Sequence, residues 1–338
     1  MTNIERLQTT GIQRIGNPQR GFRYRSLNGG NVTRSDLDRI KSLRIPPAWK
    51  EVAINSAPTG RVQVIGQDAA GRWQYLYHAN HTKAQEAKKF RRLTKFAAAL
   101  PKLRATISRQ MRQPELNRER VLATVLRILS SCSLRPGSEV YASENGSFGI
   151  ATLRKKHVSV SKDTVHFDFP GKSGVRQQRV LKDARVAKVV RSLLRLPGKR
   201  VFQFKNDHGD LVEVTSRHIN AYIKEVMGEH FSAKDFRTWA GTLICAGALA
   251  ALGNSDEDNQ TVRKRKMVSA IKATAEALGN TPAVCRSSYI SPAILSSFES
   301  GKVVNNCMLS LEEFLKYRGR GLHSAERALM KFLKQSMN

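Results

Sequence analysis

The chain has 338 residues, enough for about two domains, and its 40% apolar content supplies a packed core, which argues against a disordered protein. Its 58 lysines and arginines outnumber 27 acidic residues and leave a formal net charge of +31. Such an excess indicates a polyanionic partner, because each neutralised phosphate releases a condensed counterion. A merely solvated basic surface, a ribosomal protein and a membrane-surface protein are the alternatives on charge alone.

The four cysteines, Cys132, Cys245, Cys285 and Cys307, are scattered and form no CxxC pair. This spacing argues against a zinc finger or a disulfide framework and favours a reducing compartment. The first residues lack the apolar stretch of a secretion signal, and no apolar run is long enough to span a bilayer. We therefore expect a cytoplasmic protein without a membrane partner.

The first predicted elements are strands. The segment VAINSAPTGRVQVIGQDAAGRWQYLYH (52–78) contains short alternating runs separated by the turn-forming stretches APTG and QDAAG. Trp73, Tyr75 and Tyr77 alternate and project from one face of a strand, while Gln74 projects from the other. Considered alone, such a hairpin would bury its aromatic face in its own core.

The period becomes helical from about Thr82, and the segment that follows is densely basic. ERVLATVLRILSSCSL (119–134) is then predicted to be an apolar, largely buried helix. We place a domain boundary near residues 80–90. The predicted fold is α+β, with a small β-rich N-terminal domain over residues 1–85 and a larger, mainly α-helical domain over residues 86–338.

A second group of three short strands is predicted around GIATLRKKHVSVSKDTVHFDFPGKSG (149–174), with turns at SKD and PGKSG. The rest of the chain is predicted to be mainly helical. The helical patterns are DARVAKVVRSLLRL (183–196), SRHINAYIKEVM (216–227), RTWAGTLICAGALAAL (237–252), RKRKMVSAIKATAEALG (263–279), the segment around Tyr289, and LEEFLKYRGRG (311–321) onward. Ser255, at the start of the acidic stretch SDEDNQ, is the predicted N-cap of the next helix.

Three signals for ATP or metal chemistry are weak. The GKS at Gly171–Ser173 lacks the glycine that a phosphate-binding loop needs five positions earlier, where His166 stands. His78 and His81 have no thiol or carboxylate set nearby. Asp256–Asp258 is more typical of a loop or helix start than of a magnesium site. We therefore expect neither a cofactor nor a metal.

Several ordered segments resemble the catalytic boxes of type IB DNA topoisomerases of the poxvirus and bacterial branch. These segments are SLRPGSEVYASENGSFGIATLRKKHVSV (133–160), DFPGKSG (168–174), KDFRTWAGT (234–242) and ALGNTPAVCRSSYI (277–290). IGQDAAGRWQYLYHANHTKAQEAKKFRRL (65–93) resembles the DNA-clamping domain of the same branch. The resemblance runs from about Ile45 to Tyr289. It implies a catalytic domain of the fold shared by tyrosine recombinases and type IB topoisomerases.

The resemblance implies one catalytic role in each box. Tyr289 is the nucleophile that becomes joined to the 3′ phosphate, Arg135 and Arg237 hold the scissile phosphate, and Lys172 protonates the leaving 5′ oxygen. These residue types suit cleavage without a metal, because guanidinium groups stay charged and offer paired donors, while a lysine has an adjustable pKa. Each residue alone has an ordinary structural explanation, and only the ordered set favours catalysis.

The last box departs from the family pattern, which usually places histidine after the glycine. Here Asn280 stands in GNTP, and its amide can donate a neutral hydrogen bond but carries no charge. We expect Asn280 to substitute for the histidine in catalysis. The alternative is a purely structural junction, in which Gly279 ends one helix and Thr281 and Pro282 begin the next.

The DNA contacts of the clamp domain are also implied by the resemblance. Gln74, Tyr75 and Tyr77 match family residues that meet the major groove, and the two tyrosines are favoured because they share a face. Tyr141 is a further candidate for a phosphate contact. The implied protein relaxes supercoiled double-stranded DNA as a monomeric clamp, without ATP or metal.

Two alternatives to this function differ from it in recognisable features. A tyrosine recombinase normally carries HxxR where this chain has KDFR, from Lys234 to Arg237. A non-enzymatic basic DNA-binding protein would not require the four catalytic residues together, although Asn280 leaves that alternative open.

Overall fold

The computed structural model describes residues 1–255, 258–305, 307, 317 and 319–336. Asp256, Glu257 and most of the predicted helix at 311–321 lie outside the described residues. The chain divides into two compact units, Met1–Lys89 and the remainder from Phe90 onward. The first unit is built on a β-sheet and the second is mainly helical, so the predicted α+β class is confirmed.

The N-terminal unit contains one five-stranded antiparallel sheet with the order β2-β1-β3-β4-β5. Its strands are β1 (Ile12–Asn17), β2 (Gly21–Ser26), β3 (Lys50–Ile54), β4 (Val62–Gln67) and β5 (Trp73–Tyr77). Two helices, α1 (Asn3–Thr10) and α2 (Arg34–Ser42), belong to this unit. The sequence analysis predicted neither these helices nor the hairpin of β1 and β2.

Each face of this sheet has its own small apolar core. On one face Leu7 of α1 packs with Ala53 and Val62. On the other face Ile40 of α2 packs with Val64. Both faces are therefore partly covered, and the aromatic residues of β5 meet a core that a helix already occupies.

The helix α3 (Ala79–Gln110) contains the point at which the two units divide. The second unit is built around one apolar core, with α4 at its centre. The helices of this unit are α4 (Arg118–Cys132), α5 (Glu139–Glu144), α6 (Ala184–Leu194), α7 (Ser216–Met227), α8 (Ala233–Leu252), α9 (Gln260–Leu278), α10 (Pro282–Ser288), α11 (Pro292–Glu299) and α12 (Ser324–Gln335). The predicted apolar helix α4 is confirmed, since most of its side chains are buried.

The second unit also holds two small antiparallel sheets. The strands are β6 (Val158–Ser161), β7 (Thr164–Pro170), β8 (Arg176–Lys182), β9 (Gln203–Lys205) and β10 (Leu211–Glu213). The turns predicted at SKD and PGKSG are confirmed, because they connect β6 to β7 and β7 to β8. The start of the quoted stretch is not a strand, since Ile150–Thr152 forms a 3-10 turn, and the third strand begins only at Arg176.

In the helical region, the predicted N-cap of one helix is wrong and the predicted junction between two helices is confirmed. Ser255 is not the N-cap of α9, which begins at Gln260 and is capped by Asn259, whose side chain accepts a hydrogen bond from Val262 N. The predicted junction at the other end of α9 is confirmed. Gly279 ends the helix in the left-handed conformation (φ 60°), and Thr281 caps α10.

No described helix is long and apolar enough to cross a membrane. Within the described part of the chain, no three His, Cys, Asp or Glu side chains lie together in a way that could hold a metal ion.

Candidate active site

Arg237 lies in the interior of α8 and is only 2% exposed. Its Nη1 donates to the carbonyl of Ser133, and its Nη2 donates to the carbonyl of Leu278 at 2.9 Å. Among the described residues no carboxylate forms an ion pair with this buried guanidinium, whose acceptors are the two carbonyls. Arg237 therefore joins the end of α4 to the end of α9 and brings charge to the point where they meet.

Arg135 follows α4 after Ser133, which adopts the left-handed conformation (φ 51°) and turns the chain out of the helix. The partly buried Arg135 side chain donates through Nη2 to the carbonyl of Gly279 at 3.2 Å and to Asn280 Oδ1. Two segments far apart in sequence thus meet at one guanidinium.

Asn280 lies between α9 and α10, where its backbone N–H donates to Ala275 O at 2.9 Å. The Arg135 contact fixes the orientation of its amide, with the oxygen toward Arg135. The amide nitrogen Nδ2 is buried and has no oxygen acceptor among the described residues; the Cys285 thiol beside it is a weak acceptor. Arg237 Nε is buried without an acceptor there. Two donors of the site therefore lack a strong acceptor, which is uncommon for buried polar groups.

Tyr289 is the residue at which α10 ends, and its ring is half-buried. The guanidinium carbon of Arg237 lies 4.9 Å from the centroid of this ring. Thr242 Oγ1 donates to the Tyr289 carbonyl at 3.0 Å and holds the backbone against α8. Gly241 permits this approach, since a Cβ atom there would lie 2.9 Å from both Tyr289 Cβ and Tyr289 O.

The electrostatics of the site are dominated by positive charge in a partly buried place. Burial, followed by repulsion from Arg237, lowers the pKa of Arg135 to about 10. Burial also raises the pKa of the Cys285 thiol, although the Asn280 amide and the two arginines oppose that rise. The site favours a bound anion, which would relieve the repulsion between Arg135 and Arg237.

Lys172 is not part of this cluster. It lies in the exposed turn between β7 and β8, a short 3-10 turn over Lys172–Gly174 in which Ser173 has a positive φ of 60°. Its ammonium group makes no hydrogen bond or ion pair with the described residues. The structure therefore brings together Arg135, Arg237, Asn280 and Tyr289, and it leaves Lys172 in a solvated turn.

The predicted DNA-contact residues have different environments. Tyr75 and Tyr77 stack with ring centroids 6.2 Å apart, which confirms that they share a face. Tyr75 packs partly against the core beneath α1, whereas Tyr77 is 44% exposed. Gln74 donates to Asp68 Oδ2 at 2.9 Å. Tyr141 is 46% exposed on α5 in the second unit.

Sequence reasoning missed two residues that border the site. Arg179 is partly buried on β8, and burial, with a smaller contribution from repulsion by Arg237, lowers the pKa of its guanidinium. Gln177, two residues earlier on the same strand, is buried and accepts a hydrogen bond from Arg179 Nη2 at 3.3 Å. No local motif marks either residue, because both are defined by a contact between β8 and α9.

Comparison with known proteins matches both units. Residues 78–300 match the family described as eukaryotic DNA topoisomerase I, catalytic core, and residues 21–68 match bacterial DNA topoisomerase IB, N-terminal domain. The chain is 35% identical over 305 residues to DNA topoisomerase 1B of Acanthamoeba polyphaga mimivirus, covering 89% of this chain and 91% of the relative. It is 24% identical to DNA topoisomerase 1B of vaccinia virus (strain Copenhagen) over 70% of this chain and 72% of that relative. It is 27% identical to DNA topoisomerase 1 of Drosophila melanogaster, over 66% of this chain and 23% of that longer protein.

Proposed function

Because the chain belongs to the type IB DNA topoisomerase family, we propose that it relaxes supercoiled double-stranded DNA by cutting and resealing one strand through Tyr289. The observation that carries this proposal is a pair of buried donors without an oxygen acceptor among the described residues, Arg237 Nε and Asn280 Nδ2. The guanidinium of Arg237 lies over the Tyr289 ring. A buried donor without a partner costs about 1–3 kcal/mol. A phosphate oxygen that accepted these bonds would remove that cost.

In the proposed reaction the phenol oxygen of Tyr289 attacks the scissile phosphorus and loses its proton. A bond forms between this oxygen and phosphorus, and the bond from phosphorus to the 5′ oxygen breaks. Lys172 gives its proton to the departing oxygen, so that a free 5′ hydroxyl results. Arg135, Arg237 and Asn280 stabilise the negative charge on the non-bridging oxygens during the step.

Resealing is the same reaction in reverse. The phosphotyrosyl ester conserves the energy of the broken bond, so neither ATP nor a metal ion is required. Between the two steps the 5′ hydroxyl end turns about the intact strand under torsional strain. Supercoils of both signs are therefore relaxed, because rotation in either direction relieves strain.

The proposal also assigns roles to the two domains. The N-terminal domain (1–85) and the catalytic domain (86–338) act together as a monomeric clamp on the duplex, held mainly through phosphates. Gln74, Tyr75 and Tyr77 contact the DNA from the first domain, and Tyr141 contacts a phosphate from the second. We place this activity on the nucleoid in the cytoplasm.

The test is relaxation of supercoiled plasmid by the purified protein in EDTA without ATP, beside the variant Tyr289→Phe. We expect the wild type to relax the plasmid and to form a covalent 3′-linked complex, and the variant to do neither while still binding DNA. Relaxation by both proteins would show that Tyr289 is the wrong nucleophile. Binding without relaxation by either protein would favour a recombinase or a non-enzymatic DNA-binding protein.

A further inference from the structure

Gln177 lies between two glycines that each precede a proposed catalytic residue. A Cβ atom at Gly171 would lie 2.7 Å from Gln177 Cγ, and a Cβ atom at Gly279 would lie 2.5 Å from Gln177 Oε1. Lys172 follows the first glycine and Asn280 follows the second. Both glycines thus leave room for one side chain, which fills the space between the hairpin turn and the junction of α9 and α10.

Hydrogen bonds hold this side chain from both sides. Gln177 Nε2 donates to the carbonyl of Val175 at 3.3 Å, inside the turn that carries Lys172. Gln177 Oε1 accepts from Arg179 Nη2, and the same nitrogen donates to the carbonyl of Ala277 at 3.1 Å, in the last turn of α9. The two side chains therefore connect the backbone near Lys172 to the backbone near Asn280.

Besides Gln177, an ion pair between the exposed side chains of Arg176 and Asp168 at 2.5 Å fixes the base of the turn. Gly171 N donates to Val175 O at 2.8 Å and closes the turn, but the residues from Lys172 to Arg176 are exposed. A lysine side chain has four rotatable bonds, and its position depends on the backbone that bears it. The position of the backbone at the base of the turn, where Gln177 packs, therefore determines which positions the Lys172 ammonium group can reach.

We propose that Gln177, held by Arg179, is a positioning residue that sets the Lys172 turn relative to Asn280. This inference rests on the proposed role of Lys172 as proton donor to the leaving oxygen. Gln177 touches no reacting atom in this scheme and acts only through the placement of Lys172. A displacement of about 1 Å in a catalytic group can cost about 100-fold in rate.

The test uses two DNA duplexes that differ in one atom. One carries the ordinary 5′ oxygen at the scissile phosphate, and the other carries a bridging 5′ sulfur. A thiol has a pKa of about 8.5, so a thiolate leaves without a proton from the enzyme. Single-turnover cleavage rates on the two duplexes therefore separate a defect in proton donation from a defect in the rest of the site.

We expect Gln177→Ala to slow cleavage of the ordinary duplex by about 10- to 100-fold. On the sulfur duplex its rate should lie within about threefold of the wild type, the pattern also expected for Lys172→Ala. Gln177→Met keeps the volume of the side chain and removes its hydrogen bonds, and the same sulfur-specific recovery is expected for this variant even if Gln177→Ala fails to fold. Val180→Ala is the matched control, because Val180 lies on the same strand, β8, and is 57% exposed.

An equal loss of rate on both duplexes for a folded Gln177 variant would overturn the inference, since Gln177 would then support the phosphate site or the fold and not Lys172. Unchanged rates on both duplexes would overturn it as well. If Lys172→Ala itself were not rescued by sulfur, the proposed acid role of Lys172 would fail, and this inference would fail with it. This failure of the proposed role of Lys172 can be distinguished from a failure of the Gln177 inference, because it is measured on the Lys172 variant alone.

Discussion

Arg135 lies close to Arg237 in a partly buried site, and burial, followed by repulsion from Arg237, lowers its pKa to about 10. The group is therefore charged at neutral pH and loses its charge as the pH rises through about 10, well before an exposed arginine would. A bound phosphate anion would favour the charged form and move the pKa upward. The pH dependence of cleavage should consequently differ between the free and the DNA-bound protein.

This difference gives a prediction for the pH profile. With the sulfur duplex, which removes the need for Lys172, the cleavage rate at subsaturating DNA should fall as the pH passes about 10. At saturating DNA the fall should occur at higher pH. Each rate is divided by that of Arg135→Ala at the same pH, so that pH effects unrelated to Arg135 cancel. Profiles that fall at the same pH in both conditions would contradict the assignment.

In the proposed site Asn280 supplies a neutral donor at the position where the resemblance implies a histidine. Removal of one preorganised donor in a comparable site costs about 100- to 1,000-fold in rate, so we expect a loss near the lower figure for Asn280→Ala. Asn280→His should gain a titration that the wild type lacks, since a histidine changes charge between about pH 5 and 8. Its single-turnover rate relative to the wild type should rise as the pH falls through that range. Parallel profiles for Asn280→His and the wild type would show that residue 280 does not contact the phosphate.

At the scale of secondary-structure elements, the position of Tyr289 depends on how closely α10 approaches α8. Gly241→Ala would place a methyl group 2.9 Å from Tyr289 Cβ and 3.0 Å from Leu278 Cδ1. Overpacking of this kind costs about 1–3 kcal/mol, and here the strain falls on the nucleophile. We expect a lower free energy of unfolding in urea and a cleavage rate reduced by about tenfold or more.

Gly30→Ala is the control for this substitution, because a Cβ atom at Gly30 meets nothing within 4 Å. Gly30→Ala should change neither the free energy of unfolding nor the cleavage rate. Normal cleavage by Gly241→Ala would mean that α10 shifts without consequence for the chemistry.

The sequence predicted those helix ends and turns that are stabilised by interactions between residues close together in the chain. The junction at Gly279 and Thr281 was predictable, because a left-handed glycine and a capping threonine act on their own neighbours. The prediction at Ser255 failed because Asn259, four residues later, offers an equally good cap nearer the helix. The hairpin of β1 and β2 was missed although β2 alternates exposed and half-buried residues, because the strand is short and its alternation rests on only two apolar side chains, Phe22 and Tyr24.

In the candidate site, too, some residues could be predicted from the sequence, whereas others are recognised only from contacts between segments that are distant in sequence. The resemblance supplied Arg135, Arg237 and Tyr289 as residues, and the structure shows how α4, α8 and α10 bring them together. Gln177 could not be predicted, because its role depends on two glycines more than 100 residues apart in sequence. Long-range packing of this kind leaves no periodic pattern in either segment.

At the scale of the whole molecule, the excess of basic residues is present in both units. In the N-terminal unit the strand register places Arg25, Gln13, Ala53, Ile65 and Tyr75 in one row across the five strands. The exposed arginines at the β2 edge thus share a face with the aromatic residues of β5 at the opposite edge. The middle of this face, where Ala53 and Ile65 are buried, is covered by α1, so the parts of the face that remain for DNA are its edges, with charge on β2 and the exposed Tyr77 on β5.

This arrangement predicts a specific effect on salt dependence. Arg23 and Arg25 are exposed on alternate positions of β2, so each can neutralise one phosphate. Because the slope of log K against log salt is about −0.9 per neutralised phosphate, Arg23→Ala combined with Arg25→Ala should make the slope shallower by about 2. Single-turnover cleavage at saturating protein should not change, since the proposed contacts to the reacting phosphate are made by Arg135 and Arg237 in the other unit. The charge-preserving pair Arg23→Lys and Arg25→Lys should retain the original slope. An unchanged slope in the alanine variant, measured by equilibrium binding to a duplex over a range of KCl concentrations, would show that this edge of the sheet does not meet DNA.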